Sequence, residues 1–247
     1  MQQYFIESPH LTDAITMTDL DTRKHIFTVM RLDQDDQVIL VAQDGQKGRY
    51  TIADKDQARF QLIEKLDVWT ELPIQVTIAC GFSKGDKLDL ITQKATELGA
   101  SAIWGFKADW SIVKWDAKKL SKRHDKYLKI AKGAAQQSKR NLIPDIQLFD
   151  KEADLITRFE KFDQVVIAYE ESAKEGEHTA FVQTLKKMQP GQKLLMIFGP
   201  EGGLSPTEVA TFQAAGGLCI GLGPRILRAE TAPFYALSSI SYAFELN

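Results

Sequence analysis

Two short stretches of this 247-residue chain gather residue types suited to holding a ligand against main chain. The first is "IFGPEGGLSPTEV", residues 197–209. An apolar run stops at Gly199 and Pro200, and a single carboxylate, Glu201, precedes the pair Gly202 and Gly203. The second is "LCIGLGPRILRAETAPF", residues 218–234. Here Gly221, Gly223 and Pro224 again follow an apolar run, and Arg225, Arg228 and Glu230 come after them. Glycine has no Cβ, so backbone at these points can approach a flat ligand closely. Either turn alone reads equally well as a tight strand-to-helix loop with no ligand. The duplication carries more weight, because random loops rarely repeat a Gly-Pro turn bearing charges at the ends of two strands. The spacing G-P-E-G-G is neither the G-x-G-x-x-G of dinucleotide folds nor a phosphate loop ending in Gly-Lys-Ser/Thr.

Regular elements must position these turns. "KLLMIF" reads as a strand ending at Gly199. Ser205 then suits an N-cap, Pro206 the first helical position, and Glu208 completes a capping box. Gly216 and Gly217 can end that helix. The first turn therefore lies at the carboxyl end of a parallel strand, where open α/β sheets bind ligands. From residue 73 strands and helices alternate: "PIQVTIACGF", "SAIWGF", "DQVVIAY", "KLLMIF" and "LCIGL" are the strands. "DKLDLITQKATELG" is a helix with Leu88, Ile91, Ala95 and Leu98 at helical spacing, Asp86 as cap and Gly99 as stop. Residues 117–140 form a long helix whose apolar stripe is Leu120, His124, Tyr127, Leu128, Ala131 and Ala135. "APFYALSSISYAF" is the last helix, with Thr231 a possible cap. The pattern predicts a mostly parallel sheet with helices on both faces. Residues 1–70 read differently. "QVILVAQDGQKGRYTIA" holds two strands around Asp44-Gly45, a hairpin signal, and "RFQLIEKL" is another strand. The expected organisation is a small β domain over 1–70 and an α/β domain over 73–247.

Composition bounds the function. Apolar content of 44%, charged content of 26% and a net charge of −2 describe an ordinary soluble protein, not one that is basic throughout. Positive charge is instead local: residues 114–140 carry ten Lys and Arg against two Asp. The four histidines (His10, His25, His124 and His178) have no metal-ligand spacing, so no metal is expected. Cys80 and Cys219 each sit in an apolar run and read as buried, reduced thiols. "MQQYFIESPH" lacks the basic start and apolar stretch of a signal peptide. No run reaches the ~18 apolar residues of a membrane span. The expected location is the cytoplasm.

At "GPEGGLSPTEV" and "LGPRILRAETA" the chain resembles the RsmE-type ribosomal RNA methyltransferases of the SPOUT superfamily. "KGDKLDLITQKATELGA" and "AAQQSKRNLIPDI" match in the right order, and "HIFTVMRLDQDDQV" looks like the family's N-terminal domain. The resemblance covers nearly the whole chain. It implies an α/β, SPOUT-type parallel sheet with a C-terminal trefoil knot, plus a small N-terminal PUA-like β-barrel that binds RNA. It also implies methyl transfer from S-adenosyl-L-methionine to N3 of one uridine in 16S (small-subunit) ribosomal RNA. The substrate would be that RNA or the assembled small subunit. The family forms homodimers, with the active site near the subunit interface. Two positions depart from the family pattern. Trp110-Ser111 stands where an Arg-Ser pair is usual, and Gln136 replaces a Glu in Gln136-Gln137-Ser138-Lys139-Arg140.

Carried over residue by residue, the resemblance assigns roles. Gly199, Glu201, Gly202, Gly203, Leu222, Gly223, Ile226 and Leu227 would hold the cofactor. Uridine N3 becomes nucleophilic only as its proton leaves, and charge then spreads to O2 and O4. Arg228 would stabilise that charge. Glu230 would hold Arg228 or act as the base, and Thr231 would contact the base or cap the helix. A structural Arg228–Glu230 salt bridge is the plainer alternative. From the local charge excess rather than the resemblance, RNA contacts would come from Lys118, Lys122, Lys129, Lys132 and Arg140, with Lys24 and Arg31 in the first domain as weaker candidates; an ordinary solvated helix face is the plainer alternative, and Arg140 would serve RNA or the dimer. The competing reading is an RNA-binding ribosome assembly factor with a vestigial methyltransferase site. A nicotinamide-dependent enzyme is disfavoured by the missing G-x-G-x-x-G.

Overall fold

The computed structural model describes residues 1–169 and 179–246, so His178 lies outside the described residues. The chain divides into two compact units, Met1–Glu71 with Ala135–Leu142, and Leu72–Ala134 with Ile143–Asn247.

The first unit is built on five strands: β1 (Gln3–Phe5), β2 (Ala14–Thr16), β3 (Gln37–Val41), β4 (Lys47–Asp54) and β5 (Arg59–Leu66). They form one sheet in the order β1-β3-β4-β5-β2. All its pairings are antiparallel except β1 with β3. The Asp44-Gly45 turn joins β3 to β4, as its sequence predicts. A short helix, α1 (Leu20–Lys24), lies between β2 and β3. Tyr50, Phe60, Ile26, Leu40 and Ile52 are fully buried in the core of this unit.

Residues 135–142 were not assigned to this unit by the sequence pattern, and Arg140 explains why they belong to it. Its side chain is 3% exposed and ion-pairs with Glu71, with Arg140 Nε 3.1 Å from Glu71 Oε2. The other Glu71 oxygen accepts from the Asn141 N–H at 2.8 Å. Asn141 Nδ2 donates to the carbonyls of Gly45 and Val68. A buried guanidinium satisfied in this way is an internal fastener, so Arg140 is removed from the RNA or dimer surface expected for it. Removing one partner of such a pair typically costs ~3–5 kcal/mol.

The second unit has six parallel strands: β6 (Gln75–Gly81), β7 (Ala102–Phe106), β8 (Asp145–Phe149), β9 (Gln164–Ala168), β10 (Lys193–Phe198) and β11 (Leu218–Ile220). Their order is β11-β9-β10-β6-β7-β8. β10 shows why the central strands read as unbroken apolar runs. Leu194, Met196 and Phe198 enter one core layer with Ile91, Phe181 and Leu237. Leu195 and Ile197 enter the other with Trp104, Leu155 and Phe212. Both faces are covered, so period-2 alternation of apolar and polar residues disappears. The helices supplying the cover are α2 (Lys87–Glu97), α3 (Ala117–Gln137), α4 (Glu152–Ile156), α5 (Ala180–Lys187), α6 (Pro206–Ala214) and α7 (Thr231–Ser241).

Several local expectations need adjustment. Asp86 occupies the N-cap position of α2, but its side chain makes no capping bond. The long helix stops at Gln137, and Lys139 takes a left-handed φ of 62°. Tyr127, Ala131 and Ala135 are buried along α3 as expected, whereas Leu128 is 42% exposed and falls off the stripe. Glu230, not Thr231, holds the cap position of α7. Cys80 is buried, and burial pushes its thiol pKa up. Cys219 is only partly buried, because β11 is an edge strand three residues long.

Candidate active site

β11, β9 and β10 are neighbouring parallel strands, so the segments leaving their carboxyl ends emerge on one edge of the sheet. Both glycine turns are among them. The first turn and residues 226–229 of the second loop line a cleft of about 730 Å³, whereas the glycines of the second loop lie outside it. Gly199, Glu201, Gly202 and Gly203 form one side, and Ile226, Leu227, Arg228 and Ala229 another. Lys87 from α2, Trp110 from the β7–α3 connection and Tyr169 after β9 complete it. The volume suits a cofactor-sized ligand, for which clefts of roughly 300–1,000 Å³ are usual.

The first turn is held from every side. The Gly203 N–H donates to the Pro200 carbonyl at 2.9 Å. A Cβ on Gly199 would stand 2.8 Å from the Cα of Gly203, so the chain can fold back here only because side chains are missing. At its far end Ser205 Oγ accepts from the Glu208 N–H, and Glu208 Oε2 accepts from the Ser205 N–H, which completes the predicted capping box. The other Glu208 oxygen accepts from the Asp109 N–H at 2.9 Å, and Ser205 Oγ donates to Asp109 Oδ2 at 2.6 Å.

Glu201 is clamped too. Its Oε1 accepts from the Lys84 N–H at 3.0 Å and lies 3.2 Å from Lys87 Nζ. Burial alone would raise its pKa. Its own N–H, the Lys84 N–H and the Lys87 ammonium outweigh that and hold the carboxyl below the usual value.

Lys87 also lies 3.5 Å from Glu230 Oε2, a buried oxygen with no hydrogen-bond partner. One ammonium therefore joins a carboxylate from each turn, across 114 and 143 positions of sequence. Lys87 was not anticipated as a site residue, although a signal was present. It follows Asp86 at the first helical position of α2, where the helix dipole favours an acid over a cation. The alternative of a structural Arg228–Glu230 salt bridge is not what forms, because Glu230 pairs with Lys87 instead. Among the described residues Arg228 makes no ion pair, and it is exposed at the cleft.

The remaining candidates fall elsewhere. The Thr231 N–H donates to the Arg228 carbonyl at 2.9 Å, which ties the start of α7 to the turn. Leu222 and Gly223 line a separate apolar cleft with Leu185, Tyr235 and Tyr242. Lys118, Lys122 and Lys129 are exposed on α3, and Lys132 is half-buried. Lys24 and Arg31 are exposed on the first unit. No group of His, Cys, Asp and Glu able to hold a metal occurs among the described residues. No helix among them is long and apolar enough to cross a membrane.

A two-domain RNA methyltransferase is the class that this sheet and cleft define. A family model described as an RNA methyltransferase domain matches residues 70–241, and one described as an RNA methyltransferase PUA domain matches residues 18–63. The Bacillus subtilis ribosomal RNA small subunit methyltransferase E is 45% identical over 100% of this chain and 98% of its own length. A methyltransferase from Legionella pneumophila, solved with its cofactor SAM bound, superposes with a TM-score of 0.82 at 28% identity, covering 98% of each chain. The ribosomal RNA small subunit methyltransferase E from Neisseria gonorrhoeae, solved with S-adenosyl methionine, shares the fold at a TM-score of 0.83 and 22% identity, covering 99% of this chain and 98% of its own. The chain belongs to the ribosomal RNA small subunit methyltransferase E family.

Proposed function

We propose that this protein methylates N3 of a uridine in small-subunit ribosomal RNA, using S-adenosyl-L-methionine. The observation that carries the reading is the cleft shared by the turn at residues 199–203 and residues 226–229 of the second loop, where Arg228 makes no ion pair among the described residues. Bound there, S-adenosylmethionine supplies an electrophilic methyl group. The residues suit such a ligand. Gly199, Gly202 and Gly203 present bare backbone, Glu201 offers an ionised acceptor to a ribose hydroxyl or an ammonium, and Ile226 and Leu227 supply apolar wall.

The chain's own chemistry concerns the acceptor. N3 of uracil must lose its proton, and the charge moves onto O2 and O4. Arg228, exposed and unpaired, can meet that charge without first breaking another contact. Glu230 stands two residues away, oriented by Lys87, as the carboxylate available to take the proton. The closed capping box and the Glu201 clamp keep the first turn in place while RNA arrives.

RNA is held by charge outside the cleft. Exposed Lys118, Lys122 and Lys129 on α3 form the proposed contact surface of the second unit, and Lys24 and Arg31 are separate RNA contacts of the PUA-like domain. Lys126 is engaged with Asp89, and Arg123 lies over the Trp115 ring at 5.4 Å, so neither is part of it. The protein acts in the cytoplasm as a homodimer. The apolar cleft beside α5 and α7, where Val182, Tyr235 and Tyr242 are exposed, supports a self-association face. Mass spectrometry of small-subunit RNA from cells lacking the protein tests the activity: one methyl on one uracil is lost and returns with the wild-type gene. An unchanged modification profile refutes it. A vestigial site would give that result, but the formed cleft and unpaired Arg228 favour the enzyme.

A further inference from the structure

We infer that Trp110 is a stacking platform for the uracil being methylated. The inference rests on the RNA methyltransferase reading and names a binding residue at the same site. Trp110 lines the cleft, yet the residue is 48% exposed. An indole normally hides most of its large apolar surface, so leaving half in water at a ligand cleft is costly unless something covers it.

Its backbone is fixed on both sides. Asp109 gives and receives hydrogen bonds with Glu208 and Ser205 of the capping box. The Ser111 N–H donates to the Ala108 carbonyl at 3.0 Å, and Ser111 Oγ accepts from the Ala108 N–H at 3.1 Å. The ring is thus presented by a closed turn, with little ordering left to do when a ligand arrives. It also packs tightly on Gly202, where a Cβ would come within 3.1 Å of the Trp110 Cβ.

The chemistry of the acceptor favours a base over the cofactor as the occupant. N3 lies on the pairing edge of uracil, so the base must leave its stack to react. An exposed aromatic face replaces the stacking that is lost, and it does so for any base. The turn at residues 199–203 already offers main chain to the cofactor. Trp110 and Arg228 line the same cleft.

Steady-state methylation of small-subunit RNA by Trp110→Phe, Trp110→Leu and Trp110→Ala, with calorimetric titration of S-adenosylmethionine into each, tests this. Replacing a stacking aromatic should raise the KM for RNA about ten- to a hundred-fold in the Leu and Ala variants, with Phe close to wild type. Cofactor affinity should stay within about two-fold, the spread expected of surface substitutions. A KM for RNA that is equal in Phe, Leu and Ala overturns the proposal. So does weakened cofactor binding with unchanged RNA dependence, because Trp110 would then stack on the cofactor. Phe and Leu are of similar size, so their contrast survives even if the Ala variant fails to fold. Failure of the wild-type protein to methylate small-subunit RNA, both free and in the assembled subunit, would refute the function, whereas active wild type with indifferent Trp110 variants refutes only the platform.

Discussion

The two glycine turns share a sequence style and differ in mechanics. The turn after β10 is closed by its own hydrogen bond, by a capping box and by the Lys84 and Lys87 contacts to Glu201. The turn after β11 leaves Pro224, Arg225, Ile226 and Arg228 exposed, and Ile226 reaches 74% exposure. Its tethers lie at its end, where the Thr231 and Ala232 N–H groups both donate to the Arg228 carbonyl and Lys87 pairs with Glu230. A binding surface benefits from stiffness, since a preformed cradle spends little on ordering. A group that must meet developing charge benefits from having no prior partner. The pairing of a fixed turn with an open one fits a division between holding the donor and acting on the acceptor.

The sharpest way to break that division is to remove Arg228. Arg228→Ala should lower kcat by roughly 10²–10³, the usual loss for one charge-stabilising donor, while calorimetry finds the cofactor bound as before. Equal losses in binding and turnover would move Arg228 into the cradle and erase the contrast. Lys87→Met tests the link between the turns. With their shared cation gone, Glu201, which lines the cleft, and Glu230, which does not, lose their ion pairs, and we expect kcat/KM to drop about ten-fold, or ~1.4 kcal/mol. Lys87→Arg should restore most of it. For RNA, reversing Lys118, Lys122 and Lys129 to Glu should weaken binding and flatten the dependence of affinity on salt, with no change in cofactor affinity. An unaltered salt slope would return α3 to an ordinary solvated face.

The stiffness of the first turn can be measured by stability. Ser205→Ala removes an N-cap and the hydroxyl on Asp109, and should cost ~0.5–2 kcal/mol. That corresponds to a fall in Tm of a few degrees, at ~2–4 °C per kcal/mol for a unit of this size. Thr231→Ala should cost less, because the Thr231 side chain makes no cap. Equal losses at the two positions would mean that the turns are alike in rigidity.

Local signals were readable and distant ones were not. Ser205, Pro206 and Glu208 announced a helix start because a capping box is written in four consecutive residues, and the structure closes it as expected. "KLLMIF" and "RFQLIEKL" matched their strands to the residue, because each is bounded by turn-forming or polar sequence. β1 and β2, three residues each, were too short to show a period. The Lys87 bridge and the Arg140–Glu71 fastener depend on chain folding over more than sixty residues, and nothing local encodes such a partner. Arg140 was therefore read by its charge, as a surface residue, when its geometry is that of a buried clamp. Trp110 was visible only as a departure from the family pattern; its place at the cleft follows from Asp109, whose bonds to Ser205 and Glu208 could not be inferred from sequence.

The smallest effect concerns pH. Glu201 has a folded-state pKa below its ordinary value because the Lys84 N–H and the Lys87 ammonium favour the charged form over the burial that opposes it. Between the two values the unfolded chain binds more protons at this site than the folded one, so stability rises with pH there. The contribution is complete above the ordinary carboxylate pKa and is lost as pH falls through the depressed one. Glu201 remains well solvated, so the gain should lie within ~0–1 kcal/mol. Thermal melts of wild type and Glu201→Gln should differ by one or two degrees at neutral pH, and the gap should narrow as the solution is acidified below the usual carboxylate range. A gap that instead widens on acidification would mean that Glu201 is held in its protonated form, and the cation-clamped cradle proposed for the first turn would be wrong.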